Sequence, residues 1–152
     1  DPDRFSLPVK YFTIFTLKNL LMKKYFMILG SLQAFTAIGA IPAGIGYLLD
    51  TTGQRMGVTT EMLANSPFDS FLLPGLFLLV VNGLAHVAGA WLSFSRNRFA
   101  GHAGLTLGVV LTIWIIIQVA WIGLSHFLQP LFLVVGLLNI FLSWKIIRSM
   151  AK

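Results

Sequence analysis

Four long apolar runs, 25–49, 71–94, 103–125 and 131–146, constrain this chain more than any other feature. No Asp, Glu, Lys or Arg falls within the apolar core of any of them. A helix crossing the roughly 30 Å hydrocarbon layer of a bilayer needs about 20 apolar residues. Four such helices account for most of the 152 residues. The expected fold is therefore all-α, an integral membrane four-helix antiparallel bundle. Composition agrees: 57% of residues are hydrophobic and only 11% charged, against about a quarter charged in a soluble domain. Mean hydropathy is +0.83. So few charges cannot build a water-facing surface.

The charges that remain set an orientation. Lys18, Lys23, Lys24, Arg96, Arg98, Lys145, Arg148 and Lys152 all fall on one side of the expected spans. The other side holds Arg55 alone, beside Asp50, Glu61 and Asp69. Basic residues accumulate on the cytoplasmic side of membrane proteins, so the N and C termini are expected to be cytoplasmic. A bacterial cytoplasmic (inner) membrane is the expected location. Tyr47, Trp91 and Trp144 lie near span ends, where interfacial aromatics collect. The net charge of +6 is spent on this topology rather than on nucleic acid, since no basic stripe is interleaved with aromatics. With no cysteine in the sequence, disulfides, thiol redox chemistry and Cys-ligated metals are excluded.

Along the chain, residues 1–9 read as a loose tail, and 10–21 are apolar but too short to span. Met22-Lys23-Lys24 before an apolar run has the form of a translation start. Residues 1–21 are thus read as an N-terminal extension, either an interfacial helix, a downward continuation of the first span, or a segment not native to the protein. Residues 22–152 form the transmembrane domain. Pro42, flanked by Gly39, Gly44 and Gly46, is expected to kink the first span near its outer end. Residues 50–70 form the one long loop, in which Thr59 or Thr60 is placed to cap a short helix ended by Pro67. Pro74 and Pro130 open the second and fourth spans. Small-residue pairs at Ala40/Gly44, Ala85/Gly89 and Gly104/Gly108 predict close helix approaches.

The chemistry of the chain is concentrated in a few polar residues inside the spans. Asn82 and His86, at i and i+4, share one face of the second span at mid-membrane depth. A polar pair there must face protein or water. Trp114, Gln118 and Trp121 form an aromatic–amide–aromatic stripe on the third span, while Gln33 and Asn139 add an amide from the first and fourth. Two readings stay open. The layer is either a set of interhelical hydrogen bonds that fixes register, or a polar pocket for a flat lipid-soluble molecule. Phe68 and Asp69, at the loop's end, are candidates for an exposed contact at the outer rim. No catalytic residues and no metal site are expected. His86 is the only histidine deep in a span, which argues against bis-histidine haem, and no cofactor is expected.

The stretches Ser66-Pro67-Phe68-Asp69-Ser70-Phe71-Leu72-Leu73-Pro74-Gly75, WIIIQVAWIG (114–123) and FLQPLF (127–132) resemble a family of small four-span bacterial membrane proteins of unassigned function. The resemblance covers about residues 22–147. The layout of helices and loops is also loosely similar to that of DoxX-like proteins. Neither resemblance implies particular catalytic residues. The leading expectation is a non-enzymatic accessory subunit or scaffold. Its partners are the lipid bilayer and either further copies of the chain or a larger membrane complex. The alternative is a binder or carrier of a quinone or lipid. An intramembrane enzyme ranks below both, since no nucleophile–base pair is present.

The orientation is open to direct test. With cysteines at Thr52 and Ser149, an impermeant thiol reagent applied to intact cells should label the first and spare the second. Labelling of the second alone would reverse the orientation.

Overall fold

The computed structural model describes the backbone of residues 3–151 and the side chains of residue 12 and residues 14–151. Four helices carry it: α1 (Asp3–Leu49), α2 (Leu72–Phe94), α3 (Ala100–Ile122) and α4 (Leu128–Met150). Each contains a stretch long and apolar enough to cross a membrane, and the described residues include no strand. The chain is a multi-pass membrane protein. α2, α3 and α4 have 23 residues each, a rise of about 35 Å, enough for the hydrocarbon layer. α1, at 47 residues, is about twice that length.

The long first helix departs from the reading of residues 1–9 as a loose tail. Residues 1 and 2 lie outside the described residues, but from Asp3 the backbone is helical and continues into the span. α1 contains Pro8 near its start, and no further proline follows before Pro42, so the hydrogen-bond ladder is uninterrupted from there into the span. α1 also stays helical through Pro42, whose ring is exposed.

The helices form a ring in which α1 packs on α2, α2 on α3, α3 on α4 and α4 back on α1. Short connections after α2 and α3 force neighbours to run antiparallel. The outer face presents Ile38, Leu73, Val87, Ile116, Leu137 and Phe141, all exposed, as lipid contact requires. Inside, two apolar clusters hold the ends of the bundle. Phe26, Leu29, Ala100, Leu142 and Ile146 pack at the end bearing the basic residues. Leu111, Trp114, Ile115 and Val135 pack toward the loop end. Polar side chains are interleaved with both clusters: Ser143 and Leu29 meet at Gly104, and Trp114 belongs to the second cluster.

The long loop closes the second end. Asp50 organises its start: one carboxylate oxygen accepts from the Thr52 hydroxyl at 2.6 Å and the Thr52 amide at 3.1 Å, the other from the Arg55 amide at 2.8 Å. The Thr52 hydroxyl and the Arg55 amide hold its carboxyl below the usual carboxylate range. Gly53, at φ 83°, supplies the left-handed turn. A short 3₁₀ turn spans Thr60–Leu63, but Thr59 makes no side-chain cap; what anchors the turn is buried Leu63. The Phe71 amide then donates to the Thr51 carbonyl at 2.9 Å, and its ring stacks on Tyr47 at 4.8 Å. Between α3 and α4, buried Gln129 accepts from the Ser125 and His126 amides and donates to the Gly123 carbonyl, tying the turn together.

The small residues do set the closest approaches. Gly108 has the Asn139 Cβ and the Gly136 carbonyl 2.9 Å from where its own Cβ would stand. A side chain there must push α3 and α4 apart, because one of the obstacles is backbone. Gly108→Val should lower unfolding stability by about 1–3 kcal/mol, as overpacking does. Val109→Leu on the lipid side should leave it within error. Thermal unfolding in detergent micelles compares the two.

A buried polar band as candidate functional site

Six residues from all four helices place polar atoms in the bundle interior: Gln33, Asn82, His86, Trp114, Asn139 and Ser143. Gln33, His86, Asn139 and Ser143 are 0% exposed and Asn82 is 1% exposed. Burial on this scale puts them inside the ring and not on the lipid face. The sequence-expected pair Asn82 and His86 is thus interior, as are Gln33 and Asn139. Gln118 is half-buried, one turn beyond buried Trp114.

Contacts between helices order these residues by depth. The Gln33 Nε2 lies 3.0 Å from the position of a Cβ on Gly89, and Leu107 approaches the same point. Asn139 rests on the adjacent residue, Gly108. Gln33, Gly89 and Asn139 therefore occupy one level. Ser93, a turn along α2 from Gly89, donates its hydroxyl to Gln33 Oε1 at 2.9 Å. Ser143 Oγ rests against Gly104, one turn nearer the basic end. Toward the loop end, Trp114 stacks on Phe77 at 4.3 Å and 24°.

The backbone of α2 changes where the polar pair sits. Leu78–Leu84 forms a seven-residue π-helical segment with α-helix on either side. Its wider turn differs from the α-helical spacing by which Asn82 and His86 share a face, yet both remain buried. Such segments inside α-helices are frequent at functional sites. The imidazole reaches back across it, with Nδ1 at 3.1 Å from the Val81 carbonyl oxygen. A carbonyl can only accept, so Nδ1 carries the proton in this bond, and in the neutral ring Nε2 then has a lone pair.

The band is rich in groups with no partner inside the protein. Among the described residues these are Gln33 Nε2, both amide atoms of Asn82, His86 Nε2, Trp114 Nε1, both amide atoms of Asn139 and Ser143 Oγ. They supply acceptors at His86 and the two Asn carbonyls, and donors at Trp114 and the amide nitrogens. No carboxylate or thiol is among them. Among the described residues there is also no group of three or more His, Asp or Glu able to hold a metal ion. The arrangement is suited to hydrogen bonding.

The outer-rim candidates divide. Phe68 turns inward, half-buried, and meets the Trp121 ring edge-on at 5.4 Å, while Asp69 is exposed. Neither joins the polar band. The aromatic stripe on α3 is thereby covered at both ends, by Phe77 and by Phe68. Ser93 and Ser143 belong to the band although sequence reasoning passed over them. Their spacing was a usable signal: Ser143 is one turn from Asn139, and Ser93 two turns from His86. No known protein family, curated protein or solved structure matches the chain.

Among the described residues, the Gln33–Ser93 bond is the one direct side-chain hydrogen bond across the band. Ser93→Ala should cost about 1 kcal/mol of unfolding free energy, because it strands a buried acceptor. In a Gln33→Leu background the same change should cost close to nothing. A double-mutant cycle in a bilayer mimetic reads the difference.

Proposed function

We propose that this chain is a non-enzymatic membrane protein whose polar band binds the head of a small membrane-soluble molecule bearing hydroxyl or carbonyl groups. The chemistry suits a quinone, a quinol or a lipid alcohol. The observation that carries the reading is the set of unpartnered donors and acceptors on side chains fully buried in the bundle. Buried polar groups are nearly always paired, and each unpaired one costs about 1–3 kcal/mol. His86 Nε2 is able to accept from a hydroxyl, and Trp114 or an Asn amide to donate to a carbonyl. The π-helical segment beside the pair supports the same reading.

A second reading has its own observation. Asn139 and Ser143 are seated directly against Gly108 and Gly104, which supports a band that only sets helix register in a scaffold or accessory subunit. Both readings go with a place among small four-span bacterial inner-membrane proteins, supported by the SPFDSFLLPG and WIIIQVAWIG stretches.

A short-chain quinone separates them. In a variant keeping Trp114 as its one tryptophan, with the other three replaced by Phe, the quinone should quench fluorescence saturably. His86→Leu should weaken that binding about tenfold, the worth of one good hydrogen bond, with helix content unchanged by circular dichroism. Equal quenching with and without His86, or none at all, favours the scaffold.

A further inference from the structure

At the opposite end of the bundle from the loop, α1 runs on past the last turn of α4, and the two helices flank a cleft of about 470 Å³. Its composition is two-sided. One wall is apolar, with Leu17, Leu21 and Tyr25 from α1; the rim carries three cations, Lys18 from α1 and Lys145 and Arg148 from α4. None of the residues lining it is acidic. Of the chain's five acidic residues, Asp50, Glu61 and Asp69 sit in the loop at the far end, and Asp1 and Asp3 precede the described side chains. Among the described residues, the cations therefore face the cleft without an acidic counter-charge.

Their placement is fixed by neighbouring rings. Lys145 Nζ lies 5.4 Å from the Phe141 ring centre and 5.5 Å from that of Trp144, and Arg148 Cζ lies 5.2 Å from Trp144. Tryptophan prefers the headgroup level of a bilayer, so these contacts hold both cations at the depth of lipid phosphates. The apolar wall extends the same surface into the hydrocarbon. A soluble anion has no use for that wall, and a neutral lipid has none for the cations.

We propose that this cleft binds an anionic phospholipid, its phosphate between Lys18, Lys145 and Arg148 and its acyl chains along the exposed apolar flank of α1. Basic pockets between transmembrane helices serve such headgroups elsewhere. This site is separate from the polar band and does not depend on its function.

The test is native mass spectrometry of the full chain released from detergent with equal amounts of phosphatidylglycerol and phosphatidylcholine. The wild type should retain phosphatidylglycerol preferentially. Lys145→Gln with Arg148→Gln should reduce that retention on the order of tenfold, while Arg96→Gln with Arg98→Gln, the same charge removed from the same face, should change it by less than about twofold. Equal losses in the two double variants would reduce the effect to general surface attraction and overturn the site, as would unchanged retention in the cleft variant. Should the cleft double variant fail to fold, Lys18→Gln alone is read, with about a threefold loss expected and no loss overturning the proposal. Excess inorganic phosphate should leave retention intact; displacement by it would mark a free-anion site instead.

Discussion

Hydrocarbon contains no hydrogen-bond donor or acceptor, so each polar group placed within it must be answered by the protein or by something the protein holds. The backbone meets this demand by helix formation, which is why the spans are helical from end to end. The side chains meet it only in part. Gln33 and Ser93 answer each other, Thr36 and Thr112 return their hydroxyls to carbonyls one turn back, and Gln129 is consumed by the turn it braces. Asn82, His86, Asn139 and Ser143 are carried into the same interior with polar atoms to spare.

Packing explains how such a band is accommodated. Lipid tails are as apolar as leucine, so helices in a membrane associate through close contact and not through expulsion of water. Glycine provides that contact here and at the same time makes room for polar side chains. Gly89 receives the Gln33 amide, Gly108 receives Asn139 and Gly104 receives Ser143. Small residue on one helix and polar residue on the next are thus a single device. The polar residues share their levels with apolar ones: Ser143 meets Leu29 at Gly104, and Trp114 packs in one cluster with Leu111.

Much of this was legible in the sequence because the signals were compositional. Charge-free runs of about 20 residues leave little choice of fold; the second, third and fourth helices lie within a few residues of the runs, while the first starts well before residue 25. The inward burial of Asn82 and His86 followed from the cost of exposing them to lipid. Other features depend on partners that no single segment reveals. The π-helical turn at Leu78–Leu84 leaves no mark in residue spacing; it forms where Gly83 lies against Ile41 of α1. Ser93 and Ser143 look bland because a serine in a membrane helix ordinarily bonds its own backbone. Phe68 read as an exposed rim residue because Trp121, which it meets, lies 53 positions away (121 − 68). The basic cleft needed the overhang of α1 beside the end of α4, and the unbroken helix from Asp3 was not expected.

The energetics of the band bear on what a bundle gains by keeping it. Leucine at Asn82, His86 and Asn139 would remove most of the unpaired atoms, and apolar replacement of a buried polar group is often neutral or stabilising. A bundle selected for stability alone would drift toward that solution. On the binding reading proposed above, retaining the polar set would reserve binding energy for a guest that completes the hydrogen bonds. Such a guest stabilises the fold by mass action, in proportion to the logarithm of its concentration over its dissociation constant. Destabilised, polar and pre-positioned groups are the usual signature of a site in which activity and stability compete. On the proposed binding reading that competition is located at the band, whose polar atoms are largely without partners among the described residues.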